Sequence, residues 1–338
     1  MDWNDFLQVN GAVIENDTVV SFGNAKLESE ASLNKNIIAN LSHFSPVEIT
    51  GNDAESFLHG QFTGDIKSLD KDDYLLSAWC NPKGQVILNF YIFRYNNGFL
   101  LLVPDELCGK FIQRLKMYIL RSEVEVNNKQ NQIVSIGVNI NDNAGILTED
   151  LLTGQPMKRI VDYTCLRIDK NHLRMIFTGN IKNISMLWQE LSVNLIPVGT
   201  QLWRMLDILS GIPWINEKST EQFLPQYLNL DLLNGVSFDK GCYPGQEIIA
   251  RLKFRGVAKH RLYLASIQQD TAPLPGDNLS LVNEDRNAGN IINVQPHPEY
   301  GFIFLAVAEI EHVKSKNIKI TSTGNTPTFH SLPYVTDE

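Results

Sequence analysis

Lys240-Gly241-Cys242-Tyr243-Pro244-Gly245-Gln246-Glu247 is the stretch on which the reading of this 338-residue chain turns. Two glycines and a proline bracket a Cys-Tyr pair, a composition that makes a tight, exposed turn rather than the interior of a helix or strand. The apolar run 248–250 that follows predicts entry into a buried element. A thiol reacts as its thiolate, and nearby cations favour that form. Lys240 precedes Cys242 by two residues; Arg251, Lys253, Arg255, Lys259 and Arg261 follow, with no acid among them. Read by itself, Cys242 is open between a reactive thiol and a small buried hydrophobe. The basic run is likewise open between a binding surface and a solvated face.

The chain as a whole is acidic: 29 Lys and Arg stand against 38 Asp and Glu, a formal charge of −9, which becomes −14 once the five cations of 251–261 are set aside. Sequence-independent nucleic-acid binding runs on an excess of cations, so no stable nucleic-acid binding is expected. Cys80, Cys108, Cys165 and Cys242 form no CxxC pair, which argues against a zinc or iron–sulfur cage held by this chain. They are also too sparse for a disulfide scaffold. The start Met1-Asp2-Trp3-Asn4-Asp5-Phe6 lacks the basic and apolar regions of a signal peptide. No apolar run approaches the ~18 residues of a membrane span. The expectation is a soluble, cytoplasmic protein with free thiols. No phosphate loop, GxSxG, HExxH or GxGxxG motif occurs. His59 and His260 could meet Cys242 in space, though no spacing says so.

The hydrophobic pattern predicts an α+β chain. A helix starts at Asn52, with Glu55 completing a capping box and Ala54, Phe57, Leu58 and Phe62 on its apolar face. Strands at 74–79, 86–95 and 99–103 are joined by Asn81-Pro82-Lys83-Gly84 and Asn96-Asn97-Gly98, turns that imply antiparallel pairing. A helix after Pro104 carries Leu107, Phe111, Leu115 and Ile119 on one stripe, and a strand covers 123–126. Further strands are expected at 133–140, 164–168 and 173–177, with a helix over 181–191 and a polar surface excursion at 141–153. A helix over 201–209 buries Leu202, Met205, Leu206 and Leu209, is capped by Gly211 and is stopped by Pro213. Beyond 257 only short strands follow, as in a small β-barrel or sandwich. At about 150 residues per domain the length suits two domains. These are residues 1–257, an α+β region of two interleaved parts, and residues 258–338, the β domain.

The block from Lys240 to Glu247 resembles the hallmark Lys-Gly-Cys-Tyr-x-Gly-Gln-Glu of the YgfZ family, folate-binding relatives of the glycine-cleavage T-protein, an aminomethyltransferase. Further segments fall in the family's order: His59-Gly60-Gln61-Phe62-Thr63-Gly64-Asp65, Pro82-Lys83-Gly84, Leu120-Arg121-Ser122-Glu123-Val124, Gly211-Ile212-Pro213 and Phe223-Leu224-Pro225-Gln226. The resemblance implies a T-protein-like fold: ferredoxin-like antiparallel α+β parts and a C-terminal small β-barrel around a central folate cavity. It also implies tetrahydrofolate or a folate derivative as cofactor, and transient service to iron–sulfur enzymes, among them tRNA-modifying (methylthiolating) ones. Two family tryptophans contact folate. One is matched by Trp203, while the other falls at Phe44, which can stack on a pterin but offers no indole N–H. The resemblance makes Cys242 and Lys240 the chemical pair, with Tyr243, Gln246 and Glu247 as further folate contacts. Folates carry glutamate tails, so Arg251 with Lys253 or Arg255 would make a cationic rim; Glu247 could instead pair with Arg251. Two other functions compete. One is aminomethyl transfer itself, which needs no cysteine. The other is a module without chemistry that docks tRNA or an acidic protein.

Overall fold

The computed structural model describes residues 2–143, 145–148, 151, 155–169, 173–284 and 286–334. Residues 144, 149, 150, 152 and 153 of the expected polar excursion lie outside them.

The first forty residues, where the sequence shows no strong periodicity, build five short elements. They are α1 (Trp3–Val9), β1 (Val13–Glu15), β2 (Thr18–Ser21), α2 (Ala25–Asn34) and β3 (Ile37–Asn40). Each is shorter than the span over which a helical or strand period registers. α2 has only a slight apolar face, Ala31 and the half-buried Leu33, and its other buried residues are Glu28 and Ser32. Glu28 holds it in place instead, its carboxylate accepting the backbone N–H groups of Phe22 (2.7 Å), Asn24 (3.2 Å) and Gly199 (3.0 Å). Those bonds offset the cost of burying the charge.

The next unit comprises β4 (Phe44–Thr50), α3 (Ala54–Gln61), β5 (Tyr74–Cys80), β6 (Val86–Tyr95), β7 (Gly98–Pro104), α4 (Asp105–Lys116) and β8 (Glu125–Asn128). Its sheet runs β5-β6-β7-β4-β8 and is antiparallel throughout, as the two tight turns require. Three local expectations fail here. The capping box at Asn52 and Glu55 does not form: Asp53 is the N-cap without a side-chain bond, and its Oδ2 instead accepts from the Glu123 N–H at 2.8 Å. Glu55 pairs with Arg94 at 2.6 Å, so long-range partners displace the local cap. α4 stops at Lys116, leaving Ile119 beyond the stripe, and the strand begins at Glu125 rather than 123. Between them Leu120 takes φ +48°, which turns the chain out of the helix.

A second sheet joins β9 (Ile133–Ile140), β10 (Met157–Ile160), β11 (Tyr163–Asp169), β12 (Leu173–Asn180) and β13 (Ile196–Val198), in the order β10-β11-β12-β9-β3-β13. Only β13–β3 is parallel. With period 2, Val134, Ile136, Val138 and Ile140 of β9 meet the apolar stripe of α5 (Ile181–Leu191): Ile184, Leu187, Trp188 and Leu191. The opposite face of β9 carries Ser135, Gly137 and Asn139. α6 (Thr200–Leu209) lays Trp203 on that face, so close that a Cβ at Gly137 would lie 2.5 Å from the indole. α6 ends as expected. Gly211 sits at φ +67°, its N–H donates to Ile208 O, and the Ile212 N–H donates to Asp207 O, a Schellman cap.

After a 3₁₀ turn (Pro225–Leu228) and α7 (Gln246–Arg255) come β14 (His260–Ile267), β15 (Asn278–Ser280), β16 (Asn287–His297), β17 (Gly301–Glu309), α8 (Ile310–Lys314), β18 (Lys319–Ile320) and β19 (Thr328–His330). They form one antiparallel sheet ordered β18-β15-β16-β17-β14-β19, curled as a half-barrel and open between β18 and β19. One of its faces closes on its own small core of Ile291, Phe304 and Ala306. The other, with Leu262, Ile292 and Leu305, packs into the main core of the first sheet and α6. No helix among the described residues is long and apolar enough to cross a membrane.

Candidate functional site

A cavity of about 600 Å³ lies between the β1–β2 hairpin, the sheet that holds β4 and β7, α6 and the C-terminal sheet. α6 supplies Thr200, Arg204, Asp207 and Ile208 to its wall, positions i, i+4, i+7 and i+8 on the helix face opposite the buried Leu202–Met205–Leu206 side. The start of β4 contributes His43 and Phe44, and the strap after Gly211 contributes Trp214.

Asparagine side chains pin that strap. Asn89 donates to Pro213 O (2.7 Å) and accepts from the Ile215 N–H (3.0 Å). Asn293 donates to Trp214 O (2.8 Å) and accepts from the Trp214 N–H (2.9 Å). The strap thereby satisfies its backbone without joining a sheet. The Trp214 ring stands edge-on to Phe44 (4.7 Å) and Tyr91 (5.2 Å), and its Nε1 donates to Asp207 Oδ2 at 2.9 Å. The other Asp207 oxygen accepts from Arg174 Nη2 at 2.6 Å, with both side chains 2% exposed. Arg174 is held further by Leu206 O, the Ser210 hydroxyl and the face of Trp203 (4.4 Å).

The side chains of His43 and Arg204 in the cavity wall have no hydrogen-bond partner among the described residues. Neither ring nitrogen of His43 has a hydrogen-bond partner, and burial followed by the Arg204 charge holds its pKa well below the usual imidazole range. The ring is therefore neutral near pH 7, offering one donor and one acceptor. Arg204 lies under the influence of Glu106, Asp207 and Asp105, yet hydrogen-bonds to no side chain among the described residues.

The Cys-containing stretch makes a second place on the molecule. Cys242 is exposed, whereas Cys80, Cys108 and Cys165 are buried, and burial pushes the Cys165 thiol up to about 12. The turn itself is built from the inside. Lys240 Nζ donates to the carbonyls of His59, Phe62 (2.6 Å) and Gly64 (2.9 Å), satisfying the end of α3, and lies over the Tyr243 ring at 5.0 Å. Burial brings the Lys240 ammonium down to about 8. Gln246 Nε2 closes the loop on Lys240 O (3.2 Å) and Gly241 O (3.4 Å). Gly245, at φ +80°, is the N-cap of α7 and touches the Pro82-Lys83-Gly84 turn. The His59 imidazole lies beside Gly241 and within 3.2 Å of Asp65.

The structure thus separates the residues that the sequence grouped. Phe44 lines the cavity, whereas Trp203 is fully buried beneath it against Gly137 and Arg174. The aromatic wall is completed by Trp214, which sequence reasoning passed over. Lys240, Tyr243 and Gln246 shape the turn and do not line the cavity. Nor do Glu247, Arg251, Lys253 and Arg255, which stand exposed on α7; of the run 248–250 only Ile249 is fully buried. Arg261 is paired with Asp231 at 2.8 Å and leaves the basic face. A signal for Arg204 and Asp207 was present in the helical spacing of 200, 204, 207 and 208. His43 and Trp214 had none, because no periodic pattern contains them and the contacts that fix Trp214, Asn293 and Phe44 among them, are remote in sequence.

The GCVT N-terminal domain family matches residues 13–148. Among solved structures, the glycine cleavage system aminomethyltransferase T from Bartonella henselae superposes with a TM-score of 0.78 at 16% identity, covering 98% of this chain and 96% of that one. The chain has that fold. The tRNA-modifying protein YgfZ of Hamiltonella defensa is 31% identical over 72% of this chain and 74% of its own length. That of Blochmanniella pennsylvanica is 33% identical over 74% and 79%, and that of Buchnera aphidicola is 32% identical over 73% and 78%. With identities above 30% sustained over about three quarters of both partners, this chain belongs to the YgfZ family of tRNA-modifying proteins.

Proposed function

We propose that this chain is a folate-binding accessory protein that supports the assembly or repair of iron–sulfur enzymes, tRNA-methylthiolating ones among them, with Cys242 as its working thiol. The cavity carries this reading. Its volume lies in the roughly 300–1,000 Å³ range of small-molecule sites, and it joins aromatic faces to a few convergent polar groups. Phe44 and Trp214 suit a flat heterocycle, the free nitrogens of His43 suit a heteroatom edge, and Arg204 suits an anionic end. Bound tetrahydrofolate would supply one-carbon chemistry. The chain's own residues orient it: Asp207 fixes the Trp214 indole, and Arg174 neutralises Asp207. The exposed Cys242 turn, separate from the cavity lining, faces solvent and so suits a protein client rather than the bound folate.

Titrating tetrahydrofolate while following tryptophan fluorescence tests the cavity. Saturable binding is expected, weakened by about tenfold or more in Trp214→Ala, whose ring presents one of the two aromatic walls. No saturable response at millimolar ligand overturns the reading. The thiol is tested in cells lacking their own YgfZ protein. Wild type restores tRNA methylthiolation there, and Cys242→Ala is expected not to. Full complementation by Cys242→Ala removes the cysteine from the mechanism.

A further inference from the structure

The cationic rim expected on α7 is not at the cavity, and any anion there must be held by other residues. Thr200, Arg204, Asp207 and Ile208 share one face of α6. Asp207 is spent on that face, with both oxygens committed to Arg174 and Trp214. Arg204, one turn earlier, is exposed at the cavity wall and has no hydrogen-bond or ion-pair partner among the described residues. Glu106, then Asp207 and Asp105, act on its charge without pairing with it, and Asp105 Oδ1 accepts from the Ser45 hydroxyl (2.5 Å) and Gln130 Nε2 (3.1 Å). His43 adds an unpartnered ring N–H beside Arg204. An unpaired guanidinium and an unpartnered imidazole N–H together match a carboxylate, whose two oxygens accept and never donate.

The rest of the wall limits how many carboxylates are welcome. Asp17, Asp105, Glu106 and Glu217 all line the cavity, and Lys218 is the other cation there. A folate monoglutamate already carries two carboxylates, α and γ; the further ones of a polyglutamate would run along like charges rather than into a basic groove. We propose that Arg204, with His43 beside it, forms a carboxylate-reading subsite that selects folates bearing one glutamate over poly-γ-glutamylated ones. This rests on the reading of the cavity as a folate site and names the form of folate it takes.

The test uses the full chain and three ligands: 5-formyltetrahydrofolate, its triglutamate, and the matching 5-formyltetrahydropteroate capped as its methylamide, which has no carboxylate and is called the pteroate below. Isothermal titration is expected to show the monoglutamate binding roughly 10- to 100-fold more tightly than the pteroate, the worth of a charge-assisted hydrogen-bonded pair. The triglutamate is expected to bind no more tightly than the monoglutamate. Arg204→Gln brings the monoglutamate down to the pteroate's affinity and leaves the pteroate unchanged; an unaltered melting temperature shows that this variant folds. Equal binding of pteroate and monoglutamate by wild type overturns the subsite while leaving the cavity's folate reading intact. So does an Arg204→Gln loss shared by both ligands, or a triglutamate tenfold tighter than the monoglutamate. Saturable binding of none of the three overturns the folate reading and the subsite with it.

Discussion

Gly245→Ala is expected to destabilise the protein by at least ~3 kcal/mol, read as a lowered urea midpoint. The residue sits at φ +80°, where a Cβ costs about 1–2 kcal/mol from its own carbonyl. That Cβ would also lie 2.4 Å from Gly84 Cα, 2.6 Å from Gly84 N and 2.7 Å from Asn81 O, all backbone atoms that cannot rotate aside. Relief requires the Cys242 turn to lift off the Pro82-Lys83-Gly84 turn, so loss of complementation should accompany the loss of stability. Gly241→Ala, in the same stretch, is the control. Its Cβ would meet only His59 Nε2 at 3.8 Å, an ordinary contact, and a change within ~1 kcal/mol is expected. Equal effects from the two substitutions would show that the contact between the turns is not what holds this segment.

The second large effect concerns the charge beneath the cavity. Asp207→Asn keeps the shape but strands the Arg174 guanidinium, which is 2% exposed and has no other carboxylate within ion-pair distance among the described residues. Breaking a buried pair from one side costs about 3–5 kcal/mol. At 2–4 °C per kcal/mol, the melting temperature should fall by roughly 10 °C. The double substitution Arg174→Met with Asp207→Leu removes both charges and should recover part of that loss. Full recovery is not expected, since Trp214 Nε1 then loses its acceptor. A loss below 1 kcal/mol for Asp207→Asn would mean that the cavity floor is wet and that Arg174 is solvated.

Both effects bear on how far the chain was legible. The hairpins around Asn81–Gly84 and Asn96–Gly98 and the Schellman end of α6 came directly from local chemistry. Turn residues and caps act within a few positions and so leave a local trace. The capping box at Asn52 and Glu55 failed by the same logic: Glu123 and Arg94, about seventy and forty residues away, offered better partners. The N-terminal elements were missed because their burial is set by contacts such as Glu28 with Gly199 rather than by an apolar stripe.

The candidate site divides in the same way. The Lys240–Glu247 block carried its exposed, glycine-bracketed thiol and the family resemblance in consecutive residues, and turn chemistry alone put Cys242 in solvent. The cavity is assembled from positions as distant as Asp17 and Gln295, and which of two tryptophans faces it depends on packing. Trp203 goes inward because Gly137, on strand β9 facing the helix, leaves room for an indole. Trp214 lines the cavity because Asn89 and Asn293 hold its backbone there. The sequence by itself therefore determined the elements that follow from neighbours in the chain: turns, caps, strand alternation and the exposed thiol. Only the tertiary structure decided the aromatic wall, the unpaired Arg204 and the separation of the basic helix from the cavity. These arise where close packing and buried hydrogen bonds select among residues that no local pattern connects.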